Sequence, residues 1–393
     1  MARKDFPFFN IYNNVTFLDS AASTQKPKCM INKIYEIYTY SYTNVNRGNY
    51  RLSINLTKQY EDVRILISKF INASSIYEII FTPSTTIGIN IIAKVWGRKV
   101  LSKGDEVLIS NLEHHSNIAP WQQLCKEKKA TLVIITIKKC GEINQNSLKK
   151  TISKRIKIVS ITHMSNVLGN IINIKNLINI LRKYNSKVLI DASQSISNTK
   201  INVKELDCDF LVFSSHKLYG STGLGILYIK YKNIIKMNIF FFGSSITDYF
   251  SFEKKLFLPA PYKFESGTPA ICEILSFGET LKYLNKLDLD DKWNKKDNLL
   301  NFLMNEVKSL NSFYILNVKN RKSILSLLNL ETKFEDINIV LEKNNIATRS
   351  GYHCCKPLMD FLCIEGTLRV SLGIYNNFND IYKLIKSLKK LVK

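Results

Sequence analysis

Short apolar runs, most of them rich in β-branched residues, recur through the middle of the chain and constrain its fold more than any other feature. They are Ile79-Ile80-Phe81, Val107-Leu108-Ile109, Leu132 to Ile135, Ile158 to Ile161, Val188-Leu189-Ile190, Phe210 to Phe213 and Ile226 to Ile229. Runs of this length are typical of strands buried on both faces. Amphipathic stretches separate several of them, and strands that alternate with helices form a mainly parallel sheet covered by helices. The sequence therefore predicts an α/β fold.

The amphipathic stretches carry apolar residues at spacings of three and four, which is the pattern of one helix face. They are marked by Leu56, Tyr60, Val63, Ile67 and Phe70, and by Ile174, Leu177, Ile178 and Leu181. After about residue 285 the rhythm changes to a helix around Leu300, short strands, and a last helix around Leu384. We expect a large α/β domain over 17–285 and a smaller α+β domain over 286–393, with residues 1–16 packed on the smaller one.

Composition excludes several classes of protein. The chain has 393 residues, 45% of them hydrophobic and 22% charged, which suits a large folded core rather than a disordered chain. The sequence contains neither an uncharged apolar stretch of the ~18 residues that a membrane helix needs nor the apolar segment of a secretory signal. The eight cysteines are not arranged as a secreted disulfide framework. We expect a protein of the reducing cytoplasm, or of an organellar stroma if a presequence has been removed, with no membrane partner.

The net charge of +24 has two interpretations. Lysine, asparagine and isoleucine are used heavily along the whole chain, which favours compositional bias over a localised basic surface. The alternative is a basic nucleic-acid-binding protein, a function from a different class. Helix-turn-helix, zinc-finger and RNP-type motifs do not occur in the sequence, so we expect no specific nucleic-acid partner.

Ligands of open parallel sheets bind beyond the carboxyl ends of the strands, so polar residues that follow the apolar runs are the candidates for chemistry. Asp191 ends one run and is followed closely by Gln194. Lys217 follows another run, behind Ser214 and His216. A lysine placed just past a buried strand loses solvation, which lowers its pKa and frees the amine as a nucleophile. A carboxylate at a strand end can pair with a buried cation such as a protonated pyridine nitrogen, and a cap for the next helix is the alternative role of Asp191.

Two further strand ends carry candidate binding groups. Thr85 and Thr86 lie where a strand turns into a helix, and hydroxyls beside a helix N-terminus form an anion site. His114 follows Val107-Leu108-Ile109 and is a candidate for stacking on a ring or for moving protons. A plain helix cap and a surface histidine pair are the structural alternatives. Adjacent histidines point in different directions, so we expect no metal site there.

The segment Arg349 to Pro357 is a loop that places adjacent thiols, Cys354 and Cys355, beside His353 and Lys356. Basic neighbours favour the thiolate, which is the reactive form of cysteine. A zinc cluster is the alternative, but its usual CxxC spacing does not occur. Residue types alone do not decide which of the two thiols reacts.

Together these segments resemble the pyridoxal-phosphate enzymes of fold type I, class V, and closely the SUF-type (group II) cysteine desulfurases. The resemblance covers nearly the whole chain. It is carried by Leu18-Asp19-Ser20-Ala21-Ala22-Ser23, Asn46-Arg47-Gly48, Glu113 to Ile118, Thr162 to Gly169, Leu206 to Phe210, His216-Lys217-Leu218-Tyr219-Gly220, Phe264 to Pro269 and the Cys354 loop. The joint order of these segments is what makes it specific.

The resemblance implies a role for each candidate residue. Lys217 binds pyridoxal 5'-phosphate covalently and moves the substrate α-proton, Cys354 takes the substrate sulfur as a persulfide, and alanine is released. Arg349 and Arg369 bind the substrate carboxylate, a role that also suits the bidentate guanidinium group. Asn166 and Gln194 contact the ring oxygen, and Asn166 also lies near the substrate. The remaining cofactor contacts are Asp191 to the ring nitrogen, His114 on the ring, and Thr85, Thr86, Ser214 and His216 around the phosphate, with Gly267 and Thr268 added from a second subunit.

The resemblance also implies partners: L-cysteine as substrate, a homodimer, and a small sulfur-acceptor protein of the SUF system that supplies iron–sulfur cluster assembly. The chain departs from the usual pattern at Asn46, Ile87 and Tyr352, and Phe240-Phe241-Phe242 replaces a glycine-rich stretch. Selenocysteine lyase and aminotransferase activities are the alternatives on the same fold. The thiol loop argues against a plain aminotransferase.

Overall fold

The computed structural model describes residues 2–329 and 331–391. The strands are Thr16–Phe17 (β1), Ile79–Thr82 (β2), Glu106–Ser110 (β3), Thr131–Ile135 (β4), Ile156–Thr162 (β5), Lys187–Asp191 (β6), Phe210–Ser214 (β7), Gly225–Ile229 (β8), Thr247–Phe250 (β9), Lys255–Phe257 (β10), Phe313–Ile315 (β11), Ile324–Asn329 (β12), Ile346–Ala347 (β13), Arg349–Gly351 (β14) and Thr367–Ser371 (β15).

The α-helices are Phe8–Ile11 (α1), Lys28–Glu36 (α2), Arg51–Phe70 (α3), Thr85–Ile91 (α4), Arg98–Val100 (α5), Ala119–Lys128 (α6), Gln145–Thr151 (α7), Ile174–Arg182 (α8), Val203–Leu206 (α9), Tyr231–Ile234 (α10), Ile271–Lys286 (α11), Leu289–Lys308 (α12), Phe334–Lys343 (α13), Lys356–Leu362 (α14) and Phe378–Lys389 (α15). A π-helical segment, Ile92–Gly97, joins α4 to α5, and short 3₁₀ turns follow β3, β6 and β7.

A seven-stranded sheet with the order β2-β8-β7-β6-β5-β3-β4 forms the centre of the molecule. Strands β7, β6, β5, β3 and β4 pair in parallel, whereas β8 is antiparallel to both of its neighbours. Each apolar run of the sequence forms one of these strands, and most are buried along their whole length. The predicted α/β fold with a mainly parallel sheet is confirmed. All five parallel strands direct their carboxyl ends to one edge.

Residues 289–391, which we call the C-terminal region, contain an antiparallel four-stranded sheet with the order β11-β12-β15-β14. Helices α12, α13 and α15 cover it, and their apolar faces share a separate core around Leu303, Leu325, Leu341 and Leu384. The two predicted helices of this region are present as α12 and α15. Registers within the sheet place Arg349 opposite Arg369.

The first residues contact both parts of the chain. Arg3 forms an ion pair with Asp380 in the C-terminal region, with Nη1 and Oδ2 3.0 Å apart. Phe6 is fully buried and packs edge-on against Tyr219 and Tyr375. The division into domains at 17–285 and 286–393, with residues 1–16 on the smaller one, stays a prediction.

A buried ion pair joins helix α3 to the edge of the central sheet. The Arg64 guanidinium is fully buried and donates to both carboxylate oxygens of Glu265, at 2.8 and 3.0 Å, and to the carbonyl of Ile79 at 2.7 Å. Glu265 in turn accepts from the backbone N–H of Phe81 at 2.8 Å. We expect Arg64→Met to lower the free energy of unfolding by about 3–5 kcal/mol, because it leaves a buried carboxylate without its cation.

The midpoint of urea unfolding measures this change, with Lys282→Met as the matched control. Lys282 forms an exposed i,i+3 pair with Glu279, and such pairs contribute no more than about 0.5 kcal/mol. Equal midpoints for the two variants would contradict the role of Arg64.

Candidate active site

A cleft of about 440 Å³ lies at the carboxyl edge of the central sheet. Its wall is formed by the ends of β5, β6 and β7, the start of α4, and loops from both termini of the chain. It is lined by Ala21, Ala22, Ser23, Ser84, Thr85, Thr86, His114, Ser116, Thr162, Met164, Asn166, Asp191, Ser193, Gln194, Ser214, His216, Lys217, Thr222, Arg349, His353, Cys354 and Arg369. The structure thus brings together every predicted site residue except Gly267 and Thr268.

Asp191 is the last residue of β6 and faces the cleft. Its Oδ1 accepts from the backbone N–H of Ser193 at 2.9 Å, which fixes the plane of the carboxylate. Gln194 lies one residue further on and donates from Nε2 to the carbonyl of Ala21 at 2.7 Å. These contacts fix an anionic group and an amide in the wall of the cleft.

Lys217 ends the 3₁₀ turn that follows β7. Loss of solvation lowers its pKa, the Asp191 carboxylate raises it, and the positive charge of Arg369 lowers it further. The Thr24 hydroxyl fixes the backbone on both sides of Lys217, since it donates to the carbonyl of His216 at 3.0 Å and accepts from the N–H of Tyr219 at 2.9 Å. A rigidly held amine with a lowered pKa suits covalent attachment of a carbonyl compound and proton transfer.

Hydroxyl groups cluster at the start of α4. The Oγ1 of Thr85 lies 2.7 Å from the Ser214 Oγ and 3.1 Å from the Ser193 Oγ, and the Thr86 Oγ1 lies 2.8 Å from the Ser116 Oγ. Helix α4 continues without a break into the π-helical segment, so its dipole, together with these hydroxyls, favours an anion here.

Gly225 of β8 allows the turn before α4 to approach the sheet. A Cβ at this position would lie 2.5 Å from the carbonyl carbon of Ser84. A larger residue would push the start of α4, and the hydroxyls that it carries, away from the cleft.

Three histidines line the cleft, His114, His216 and His353, and burial lowers the pKa of each, which favours the neutral imidazole. Burial lowers the pKa of His114 to about 4, aided by the charge of Lys217, and burial lowers the pKa of His216 to about 4 as well. The Nδ1 of His114 accepts from the backbone N–H of Ser116 at 3.2 Å, so its proton is assigned to Nε2. A neutral, fixed imidazole offers a flat face and one N–H to a bound ligand.

The adjacent thiols lie in opposite surroundings. Cys354 is exposed and lines the cleft, whereas Cys355 is fully buried and donates from Sγ to the amide oxygen of Asn166 at 3.0 Å. Burial raises the pKa of Cys355 to about 12. His353 and Cys354 both adopt positive φ angles, 51° and 55°, a conformation unfavourable for non-glycine residues. The strained backbone turns the first thiol outward and the second inward.

His115 and Asn166 hold this strained loop in place. The backbone N–H of His115 donates to the Cys354 carbonyl at 2.9 Å, and its Nε2 accepts from the N–H of Lys356 at 3.2 Å. The His115 ring stacks on Tyr352, with centroids 6.1 Å apart. Asn166 donates to the carbonyl of His353 at 2.9 Å. The loop therefore meets the cleft as a fixed element.

Arg349 and Arg369 occupy neighbouring strands and share one carboxylate. Asp19 accepts from the Arg349 Nε at 3.1 Å and from the Arg369 Nη2 at 3.0 Å. Arg369 also donates to the carbonyl of Asn166 at 3.1 Å, and among the described residues its Nε has no hydrogen-bond partner. Two guanidinium groups against one carboxylate leave a net positive charge that suits a small carboxylate ligand.

Gly267 and Thr268 do not line the cleft of their own chain. Thr268 instead lines a separate cavity of about 580 Å³, beside Phe241 and Phe242. Sequence reasoning missed Asp19, His115, Thr162 and Ser193 as parts of the site. Thr162 and Ser193 lie at or just past the carboxyl ends of β5 and β6, so the strand-end criterion that selected Asp191 also applies to them.

Neither a metal centre nor a membrane span is found in the part of the chain that the structure describes. Within residues 2–329 and 331–391, no three side chains of His, Cys, Asp or Glu are grouped closely enough to hold a metal ion. Over the same residues, no helix combines the length and the apolar character needed to cross a bilayer.

The sequence model of the class-V aminotransferases matches residues 16–384. The chain belongs to this family. A probable cysteine desulfurase of Halalkalibacterium halodurans is 38% identical over 96% of this chain and 93% of its own length. A cysteine desulfurase of Wigglesworthia glossinidia brevipalpis is 38% identical over 100% and 97%, and one from Escherichia coli is 35% identical over 99% and 97%.

Solved structures agree with these relatives. The apo structure of a cysteine desulfurase from Thermococcus onnurineus superposes with a TM-score of 0.95 at 29% identity, covering 99% of this chain and 97% of that one. A cysteine desulfurase of Escherichia coli superposes with a TM-score of 0.92 at 28% identity, covering 99% and 96%.

The cleft fits pyridoxal phosphate, and the protein is a pyridoxal-phosphate-dependent enzyme. A fixed carboxylate at Asp191, an amine with a lowered pKa at Lys217 and a hydroxyl cluster at a helix N-terminus are complementary to a pyridinium nitrogen, an aldehyde and a phosphate, respectively.

Proposed function

We propose that this protein is a cysteine desulfurase, which converts L-cysteine and the Cys354 thiol into L-alanine and a Cys354 persulfide. The exposure of Cys354 in the wall of the cleft carries the proposal, because it places a nucleophilic sulfur in the same cleft as the lysine and the arginines. The relatives that cover nearly the whole chain are named for the same activity. In the balanced reaction the substrate carbon–sulfur bond breaks and a sulfur–sulfur bond forms on Cys354.

The side chains that act on the substrate have separate tasks. Arg349 and Arg369 bind the substrate carboxylate, with Asn166 beside them. Lys217 removes the α-proton and returns a proton to the carbon skeleton, while His114 covers the ring and moves protons through Nε2. The Cys354 thiolate attacks the substrate sulfur. Bound pyridoxal phosphate supplies the electron sink that accepts the charge developing at the α-carbon.

A second set of residues, which shares Asn166 with the first, binds the cofactor. We assign Asp191 to the ring nitrogen, Gln194 and Asn166 to the ring oxygen, and Thr85, Thr86, Ser214 and His216 to the phosphate. The hydroxyl cluster at α4 supports the last assignment, since Thr85 and Ser214 lie within 2.7 Å of each other.

Incubation with L-cysteine tests the proposal directly. We expect equal amounts of alanine and protein-bound sulfane sulfur in a single turnover, with the added mass of one sulfur on the Cys354 peptide. Failure to release alanine from L-cysteine would refute it. Selenocysteine and keto-acid substrates in the same assay distinguish selenocysteine lyase and aminotransferase activities.

A homodimer is the second part of the proposal. Gly267 and Thr268 do not line their own cleft, and Thr268 lines a cavity together with Phe241 and Phe242. These two aromatic side chains and several of the β9–β10 hairpin are exposed. A second subunit that covers these side chains would carry Gly267 and Thr268 toward the phosphate of its partner. Sedimentation measures the assembly, and a monomer with full activity would contradict it.

We further propose that a small sulfur-acceptor protein removes the persulfide sulfur for iron–sulfur cluster assembly. The exposed position of Cys354 supports this transfer. All eight cysteines are free, which supports a reducing compartment such as the cytoplasm. An acceptor of the SUF type should raise the rate of alanine release, and an unchanged rate would count against it.

The contacts of His115 lead to a separate prediction about sulfur transfer. We expect His115→Ala to slow formation of the Cys354 persulfide about tenfold, because the loop loses its aromatic contact with Tyr352 and its bond to Lys356. Substrate binding, followed by the visible spectrum of the cofactor, should change little. His115→Gln, which keeps a hydrogen-bond acceptor, should retain more of the rate. A wild-type rate in His115→Ala would exclude the loop contact as a factor in transfer.

A further inference from the structure

A lysine is enclosed where the C-terminal region meets the loop that follows β6. Lys296 of α12 is 3% exposed, and its Nζ donates to the carbonyl of Ser197 at 2.9 Å and to the amide oxygen of Asn198. Among the described residues it forms no ion pair. A buried amine without a carboxylate partner destabilises a fold. The hydrogen bonds of Lys296 therefore indicate its role.

These hydrogen bonds lead directly to the cofactor side of the cleft. The amide nitrogen of Asn198 donates to the carbonyl of Gln194 at 2.7 Å. Gln194 lines the cleft and donates to the carbonyl of Ala21. Asn198 thus accepts a hydrogen bond from Lys296 and donates one to Gln194, which links the buried lysine to the wall of the cleft.

Two other donors from the C-terminal region hold the same turn. The Trp293 Nε1 donates to the carbonyl of Ser197 at 3.0 Å, and the Ser323 Oγ donates to the amide oxygen of Asn198 at 2.6 Å. Ser323 immediately precedes β12, which pairs with β15 so that Ser326 lies opposite Arg369. The turn that carries Gln194 is therefore fixed to the sheet that carries the substrate-binding arginine.

The surroundings of Lys296 also lower the free-energy cost of losing its proton. Burial lowers its pKa to about 7, the carboxylate of Asp297 acts in the opposite direction, and the ammonium group of Lys322 lowers the pKa further. The amine donates to both oxygen acceptors in either protonation state, so its hydrogen bonds do not require the charge.

We propose that Lys296 is a positioning residue that aligns the cofactor wall at Gln194 with the substrate-binding arginines, acting through Asn198. The inference rests on the proposed function for the reaction that it serves. The alignment itself concerns the bound cofactor, so it has a readout that does not depend on turnover.

Lys296→Met tests the proposal, since it keeps the length of the side chain and removes both donors. Lys295→Met is the matched control, because Lys295 is the next residue of α12 and forms an exposed pair with Asp291. We expect Lys296→Met to alter the visible circular dichroism of the bound cofactor, to speed its release, and to lower kcat about tenfold with a smaller change in KM. Lys295→Met should match the wild type in all four measurements.

A double variant separates positioning from stability. If Lys296 acts through Asn198, Lys296→Met combined with Asn198→Ala should be no worse in cofactor release than the more severe single variant. Ser323→Ala, a small change at the same amide, should act in the same direction with a smaller effect, and it serves where Lys296→Met does not fold. Loss of thermal stability with an unchanged cofactor spectrum and release rate would overturn the proposal.

The outcomes also distinguish this inference from the proposed function. If the wild type releases no alanine from L-cysteine, the function fails, yet the cofactor spectrum and release rate still test Lys296. If alanine forms normally and the spectrum of Lys296→Met is that of the wild type, the function stands and the inference fails.

Discussion

Replacement of Lys217 by alanine should lower the rate of alanine release from L-cysteine by about 10³-fold or more, because the same amine attaches the cofactor and moves the α-proton. The expected loss is large because Lys217 is the one lysine among the described residues that line the cleft, so another amine cannot replace it there. Absorbance gives a second readout, as the visible band of covalently attached cofactor should disappear. The assay compares single-turnover rates and spectra of the two proteins.

Lys204→Ala is the matched control for this variant. Lys204 is exposed on α9, and its side chain makes no hydrogen bond to any residue that the structure describes. It should retain the band and the rate of the wild type. A Lys217→Ala protein with an unchanged visible band would show that the cofactor is attached elsewhere.

Replacement of Cys354 and of Cys355 should give opposite results, although the two thiols are adjacent. We expect Cys354→Ala to lower persulfide and alanine formation by about 10²-fold or more, because the nucleophile is lost. Substrate binding should still change the cofactor spectrum. Cys355→Ala should keep most of the activity, with a stability loss of about 1–2 kcal/mol from the small cavity that it leaves.

Mass analysis of peptides after incubation with L-cysteine locates the sulfur in both variants. The Cys355→Ala protein should carry it on Cys354. Sulfur on Cys355 in the wild type, or a wild-type rate in Cys354→Ala, would contradict the assignment made from exposure.

The pattern of apolar runs predicted the central strands and their surrounding helices, because burial on both faces leaves a strong local signature. It did not predict that β8 runs against its neighbours, since the glycine-bounded run at Ile226 to Ile229 reads the same in either direction. Pairing direction depends on how the short connection after Lys217 returns to the sheet. The path of this connection depends on tertiary packing, so the residues of β8 alone do not reveal the direction of pairing.

The same distinction applies to the site. Asp191, Lys217, Thr85 and His114 could be predicted because each follows an apolar run, and parallel strands end at one edge. The different surroundings of Cys354 and Cys355 could not, because they follow from two positive φ angles and a contact with Asn166. Asp19 was missed for a similar reason, since its partners lie more than 300 positions away in the sequence.

The place of Cys354 in the wall of the cleft has a consequence for the order of events in turnover. The amino acid and the molecule that unloads the sulfur both need the space in front of one thiol, beside Arg349. They must therefore take turns, which gives ping-pong kinetics with parallel lines in double-reciprocal plots. At high concentration, L-cysteine should compete with the acceptor for the enzyme that carries the Cys354 persulfide, and the overall rate of turnover should fall.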